Sequence, residues 1–449
     1  MLFLLIIFVC SCFVGASAHD HYEPFAMDPA DLTAVLKQTF AKDVPSLRTV
    51  PADITFGCVD IKYNRGSFKI VECGDANYMS FRTGDVLMNG KPYKLVAPYW
   101  GIFWHYLRSF GLPVWQVGDA GPANAVAGAT LRAVGGRYAH TWYTLMQDPL
   151  FKKAARQGQG KSSAIQNYAG IIVFRAPREI ERDGGKKNRE LNYPTFRSLH
   201  PNFIYVNAAT RDFLKRKDAT YKVFTEAGLH SFIPHAKLYP TIYSNSLASR
   251  ILEEFPDQKL VIKPMYSSLS AGVNVVDRRS LNKLLITILR DKKLIIPGSH
   301  RSLDYWRRTS PPSFIASEHV ASQTLYKDGS PYDPTLRAMF TMHHDQGRVT
   351  INVLGAFWKI PVKPLDDKNA TLTEKHVTIA HAGAYYSGIL MEKADSDLLK
   401  QSLAPVLARA YEEMLLQAHA AKASGSASQS HDTNSFEDSG SGGAQESAG

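Results

Sequence analysis

The sequence predicts a mixed protein of α/β and α+β class, and three observations carry that expectation. Apolar strands alternate with helical stretches between roughly residues 91 and 210, as in a parallel α/β layer. Two β-branched runs flank a small-residue loop in Leu260-Val-Ile-Lys263-Pro-Met-Tyr-Ser267-Ser268-Leu-Ser-Ala-Gly272-Val-Asn-Val-Val-Asp277, which reads as a hairpin. Further strand-like segments then run Pro312–Val320, Tyr332–Phe340 and Val349–Lys359. At 449 residues the chain exceeds the usual single-core limit, so more than one packed unit is expected.

Taken in order, Leu2–Val14 is an apolar run followed by Ala16-Ser17-Ala18, a small-x-small cleavage pattern. It predicts a signal peptide over 1–18 and export, and the run is too short for a comfortable membrane span. Asp28–Leu47 is mostly helical in pattern, and Asp53–Ser80 gives two strands around Asn64-Arg65-Gly66-Ser67. Pro98–Leu112 reads as an aromatic amphipathic helix, with strands at Pro113–Val117, Ala169–Phe174 and Phe203–Asn207. Asp397–Ala421 has Leu399, Leu403, Leu407, Tyr411 and Leu415 at helical spacing, with Pro405 an expected kink. The Ser/Gly-rich tail from Ala423 to Gly449 has too little apolar surface to bury and is expected to be disordered.

A hydrophobic content of 45% excludes a disordered chain and a multi-span membrane protein. Net charge is +11, and the tail contributes acids but no Lys or Arg, so the folded body is more basic still. A basic cleft for a polyanion is compatible with that balance. No nucleic-acid motif, zinc-ligand spacing or hydrolase signature is present.

Lys263 ends the first run of the hairpin and lies where a flexible flap can fold over it. An ammonium there suits phosphate oxygens. Upstream, Arg216-Lys217-Asp-Ala-Thr-Tyr-Lys-Val-Phe-Thr-Glu-Ala-Gly228 reads as a helix closed by glycine. Helix lysine, strand lysine with flap, an acid at Glu318 and an arginine-bearing strand at Arg337 together resemble the ATP-grasp ligases. Arg216 stands where an aspartate is common in that family, and the flap holds one glycine among serines.

The resemblance implies two α+β lobes clasping ATP after a small parallel α/β domain. It implies domains at 91–210 (the preceding α/β domain), 211–310 (the first lobe) and 311–422 (the second). Lys217, Lys263, Ser268 and Gly272 would then hold phosphates. Glu318 and Val320 would serve adenine, and Asp333 or Asp328 the ribose. Arg337 and Lys359 would stabilise charge on a transferring phosphoryl group, with His376 and His381 toward the second substrate. His343-His344 reads as a polar turn.

Family members usually close with an aspartate on one strand and Glu-x-Asn on the next, holding magnesium. No such hairpin follows His381–Gly388. Its likeness lies instead near the N-terminus, in Phe56-Gly-Cys-Val-Asp60-Ile-Lys and Phe68-Lys-Ile-Val-Glu72-Cys-Gly74-Asp75, with Gly74 in the asparagine position. The resemblance is therefore to a circularly permuted ATP-grasp protein, whose 19–90 segment carries the Mg2+ ligands Asp60 and Glu72.

Register decides whether those carboxylates meet. A three-residue loop of Arg65, Gly66 and Ser67 places Asp60 opposite Glu72, with Val59, Ile61, Val71 and Cys73 on the other face. A four-residue loop pairs Cys58 with Cys73 as a possible disulfide and separates the carboxylates. The apolar alternation favours the first register and free thiols. The function implied is an ATP-dependent carboxylate–amine ligase working through an acyl phosphate, on an acidic amino acid or peptide. A small-molecule kinase and an inactive nucleotide-binding protein are the alternatives.

Overall fold

In the computed structural model, the residues described are 39–75, 96–118, 122–158, 165–174, 193–256, 259–267, 270–378 and 388–423. The expected signal peptide, Ser268 in the flap, His381 and the tail beyond Ala423 lie outside them. Among the described residues no helix is long and apolar enough to cross a membrane.

Near the N-terminus come β1 (Phe40–Asp43), β2 (Asp53–Asn64) and β3 (Ser67–Asp75). Next is α1 (Val96–Arg108), followed by the short strands β4 (Val114–Val117), β5 (Arg137–Ala139), β6 (Gly170–Phe174) and β7 (Phe203–Tyr205). These four strands form a parallel sheet in the order β5-β4-β6-β7, which the alternation of strands and helices anticipates.

After α2 (Lys217–Glu226), the strands β8 (Ala236–Pro240), β9 (Lys259–Pro264), β10 (Asn274–Asp277) and β11 (Ser313–Glu318) make an antiparallel sheet in the order β10-β9-β11-β8. The two-stranded ribbon of β12 (Leu325–Lys327) and β13 (Ser330–Tyr332) leads into the long strands β14 (Thr335–Asp345) and β15 (Arg348–Lys359). A short helix α3 (Leu372–His376), strand β16 (Gly388–Leu390) and the final helix α4 (Lys393–Ala423) complete the chain as described.

β14 and β15 do not stand alone. They form a larger sheet in the order β1-β15-β14-β2-β3, with β16 also on β15, so the N-terminal hairpin is built directly into it. Alternation along β2 explains the placement. Val59, Ile61 and Tyr63 bury into the core shared with α4, while Ile54, Phe56 and Cys58 pack on the opposite side with α1. Phe56 stacks on Phe103 of α1 at 4.1 Å. Beyond Cys58 that second face turns charged, at Asp60 and Lys62. The change of character marks the edge of a cleft.

Three expectations need correction. Phe40–Asp43 is a strand, because the outer edge of β15 offers it a ladder with Phe40 opposite Ile351, and Pro45 at the start of the next turn ends it. The β2–β3 loop has two residues, not three: Asn64 pairs with Ser67, and Arg65 and Gly66 both have positive φ (45° and 92°), as a type I′ turn demands. A bulge between Asp60 and Ile61 restores the register, so Asp60 still faces Glu72. His343-His344 is no turn: both residues lie in β14, buried, with His343 against Phe110. The final helix α4 has Pro405 inside it, and Leu399, Leu403, Leu407 and Tyr411 bury in the core as their helical spacing predicts. Cys58 and Cys73 are buried and form no disulfide, as expected.

Candidate active site

The antiparallel β8–β11 sheet and the sheet containing the hairpin face each other across a cleft. Side chains from both reach into it, among them Lys217 and Lys263 from one side and Asp60, Glu72 and Lys359 from the other. Arg337 of β14, Asp60 of β2 and Glu72 of β3 stand in one row across three neighbouring strands. Asp60 is buried and holds Arg337 through two bonds, Nε–Oδ1 at 2.7 Å and Nη2–Oδ2 at 2.8 Å. Lys359 Nζ lies 2.7 Å from the same Oδ2. Burial alone would push the Asp60 carboxyl up, but Arg337 and Lys359 reverse this and hold it well below the usual carboxylate range. Burial also lowers Lys359, aided by the neighbouring Arg337 and opposed by Asp60.

Glu72 is more open and pairs with Lys217 Nζ at 3.0 Å. Lys217 starts α2, and its ammonium also donates to the carbonyl of Ser267 at 2.7 Å, tying helix to flap. Lys263 leaves β9 just before the flap. It donates to Tyr221 Oη at 2.8 Å and to the Val71 carbonyl at 3.1 Å. Val71 is the extra residue of the β3 bulge, and its carbonyl accepts from the lysine that reaches across the cleft. Gly272 closes the flap with φ +76°, and a Cβ there would meet Tyr305 Cδ1 at 2.6 Å.

Two expected nucleotide contacts are already engaged within the protein. Glu318 takes Lys69 at 2.8 Å and the His235 N–H at 3.0 Å. Asp333 is buried among Lys62, His376 and the Ser322 N–H, so it is not open to a ribose. Val320 borders the cleft beside His319. The Asp333–His376 pairing has no counterpart in the sequence reading, because its members lie on separate segments with no spacing to link them. As it stands, the cleft encloses about 90 Å³.

No protein-family profile matches this chain, and no curated protein matches it in sequence. Solved structures that align with it include D-cycloserine synthetase DcsG, at 11% identity and TM-score 0.29 over 68% of this chain and 81% of that one. D-alanyl-alanine synthetase A from Vibrio cholerae aligns at 10% identity and TM-score 0.31, with 68% and 81% covered. D-alanine-D-alanine ligase from Coxiella burnetii aligns at 9% identity and TM-score 0.28, with 70% and 97% covered. Overlap this weak leaves the side chains of the cleft as the basis for function.

Proposed function

We propose that this chain is an ATP-dependent ligase of the ATP-grasp type in circularly permuted order, joining a carboxylate to an amine or similar nucleophile. The observation that carries the proposal is the convergence of five charged side chains on one cleft, Lys217 and Lys263 from one lobe and Asp60, Glu72 and Lys359 from the other, with Arg337 ion-paired to Asp60. The N-terminal hairpin supplies both carboxylates despite its distance in sequence, which supports the permuted order.

The donor set fits magnesium and a nucleotide. Two hard carboxylates side by side on neighbouring strands suit a divalent cation next to phosphates. Lys62, Lys217, Lys263 and Lys359 against Asp60, Glu72 and Glu318 leave a small local surplus of positive charge, the sign that suits an anionic magnesium–triphosphate complex. Bound magnesium would supply Lewis-acid stabilisation of phosphoryl oxygens. Lys217 and Lys263 would turn from Glu72 and Val71 to the phosphates. Arg337 and Lys359 would stabilise the charge that develops as a substrate carboxylate attacks the terminal phosphorus to give an acyl phosphate. The basic balance of the chain favours an acidic amino acid or peptide as substrate. The N-terminal apolar run supports export to a compartment that holds ATP.

A second reading, an inactive nucleotide-binding protein, is favoured by the full engagement of Asp60 by two cations and by Gly74 in the position of the family's asparagine. Titrating ATP and measuring ADP release with and without added amino acids separates the two. Amine-dependent ADP release supports the ligase. ADP release with phosphate left on the acceptor indicates a kinase, and binding without turnover indicates the inactive protein.

A further inference from the structure

At one end of the cleft, His376 and Asp333 form a pair with the geometry of a general base. Asp333 is 2% exposed and His376 6% exposed, and His376 Nδ1 lies 2.7 Å from Asp333 Oδ2. The other ring nitrogen, Nε2, lies 3.1 Å from the Lys259 ammonium. A lysine ammonium only donates, so Nε2 accepts and Nδ1 carries the proton that goes to Asp333. A carboxylate that fixes the imidazole tautomer and leaves the far nitrogen as acceptor is the arrangement of catalytic dyads. From this we infer that His376 is a general base for the second, proton-bearing substrate, with Asp333 as its positioning residue.

The surroundings fit that role. Lys62, two residues beyond Asp60 on the same face of β2, lies 3.1 Å from Asp333 Oδ2. Lys62 thereby ties the dyad to the strand that carries Asp60. Thr378 Oγ1, bordering the same cavity, is buried with no hydrogen-bond partner among the described residues, while His319 Nε2 faces Asp333 Oδ2 at 3.6 Å. Thr378 offers its hydroxyl to a polar group of a substrate, and Lys259 marks where the substrate N–H or O–H would lie. His319, Asp333 and His376 could also be read as a metal cluster. The charge count opposes that: Asp333 already faces Lys62, and His376 faces Lys259, so a divalent cation would enter beside two ammonium groups. The groups facing His376 are Asp333, His319 and Lys259, with Glu374 and Lys375 on its own helix. Burial lowers its pKa, against the pull of Asp333, so the ring is neutral near pH 7.

The step rests on the ligase proposed above, and it balances. The attacking amine forms a C–N bond to the acyl phosphate carbon while its N–H proton passes to His376 Nε2. The carbon–oxygen bond to phosphate breaks, and phosphate leaves with the electron pair. The imidazolium, held by Asp333, later returns its proton to solvent.

The test uses the full chain, ATP, magnesium and a pool of the twenty amino acids, in parallel with hydroxylamine, a nucleophile already uncharged at neutral pH. His376→Gln is expected to lower amine-dependent turnover by on the order of 10²–10⁴-fold, with ATP affinity held within about 3-fold. Hydroxylamine is expected to restore most of the loss, because it needs no base. The wild-type rate should fall on an acid limb below pH 6.5 that is missing in His376→Gln. Imidazole ¹⁵N NMR should show His376 neutral and protonated on Nδ1 at pH 7, independently of turnover. A variant with wild-type rate and pH profile overturns the inference, as does a loss that hydroxylamine leaves unrestored or an Nε2-protonated ring. ATP binding without turnover in the wild type overturns the catalytic role alone; no ATP binding overturns the ligase proposal and this inference with it.

Discussion

Asp60 and Arg337, separated by 277 positions in sequence, face each other directly across β2 and β14 and are joined by a two-bond ion pair at 2.7 and 2.8 Å. With Lys359 on the same carboxylate, Asp60 is both the centre of the proposed site and a structural tie.

The two proposed magnesium ligands should therefore respond differently to neutralisation. Asp60→Asn leaves two cations with a poor partner in a buried setting, at a cost of about 3–5 kcal/mol, as well as abolishing turnover. Glu72→Gln, with a side chain 28% exposed and a partner, Lys217, that keeps the Ser267 carbonyl, should abolish turnover at a smaller cost in melting temperature. Thermal melts run beside ADP release check both, and equal loss of stability in the two variants would contradict the expectation.

Lys263→Ala should weaken ATP binding by about tenfold or more, on the order of 1.4 kcal/mol. Lys222→Ala should leave it within about twofold, because Lys222 is 67% exposed and pairs only loosely with Glu226 at 3.8 Å. Calorimetric titration of both variants distinguishes them, and the reverse order would remove Lys263 from the nucleotide site.

Acid should destabilise the protein through β14. Burial, aided by the neighbouring His344 and by Arg348, lowers His343 from 6.5 to about 3, and burial lowers His344 too. The unfolded chain binds these protons first, so the contribution is intact above pH 6.5 and is lost as pH falls toward 3. Asp345, raised by burial to about 6, acts the other way between pH 3.8 and 6. His343→Phe isolates the first effect: relative to wild type, its melting temperature should gain steadily as pH falls from 6.5 to 3. A constant difference would show that His343 does not titrate as buried.

Gly272→Ala should lower the melting temperature by roughly 2 °C, the equivalent of about 2 kcal/mol for a chain of this length. Its positive φ strains alanine, and the new methyl meets Tyr305 and Pro264. Gly298→Ala shares the positive φ (+77°) but has open space around it, so its smaller loss measures backbone strain alone. Equal losses would mean that Tyr305 gives way without cost.

Much of this arrangement was legible because strand patterns are local. The facing of Asp60 and Glu72 followed from apolar alternation, even though the turn is one residue shorter than expected and a bulge at Val71 makes up the difference. Phe40–Asp43 was misread because only an edge on β15, about three hundred residues away, makes it a strand. The His343-His344 pair looked like a turn because histidines are polar, and only the packing of Phe110 and Tyr106 shows them buried. Asp333 and His376 carry no shared motif. Their meeting depends on where α3 comes to rest against β10, with Thr373 Oγ1 accepting the Val275 N–H at 3.0 Å.

The insertion of β2 and β3 beside β14 sets the order in which the molecule can be made. A chain emerging from the ribosome presents Asp75 260 positions before Thr335, the start of the strand that must pair with β2. At synthesis rates of about 5–20 residues per second, the hairpin waits roughly 13–52 s for its neighbour. Through that interval the side of β2 destined for β14 is an open strand edge, with Ile54, Phe56, Val59 and Ile61 along it. The last core helix, α4, comes later still. A truncation before β14 thus leaves β2 without the neighbour that covers this edge.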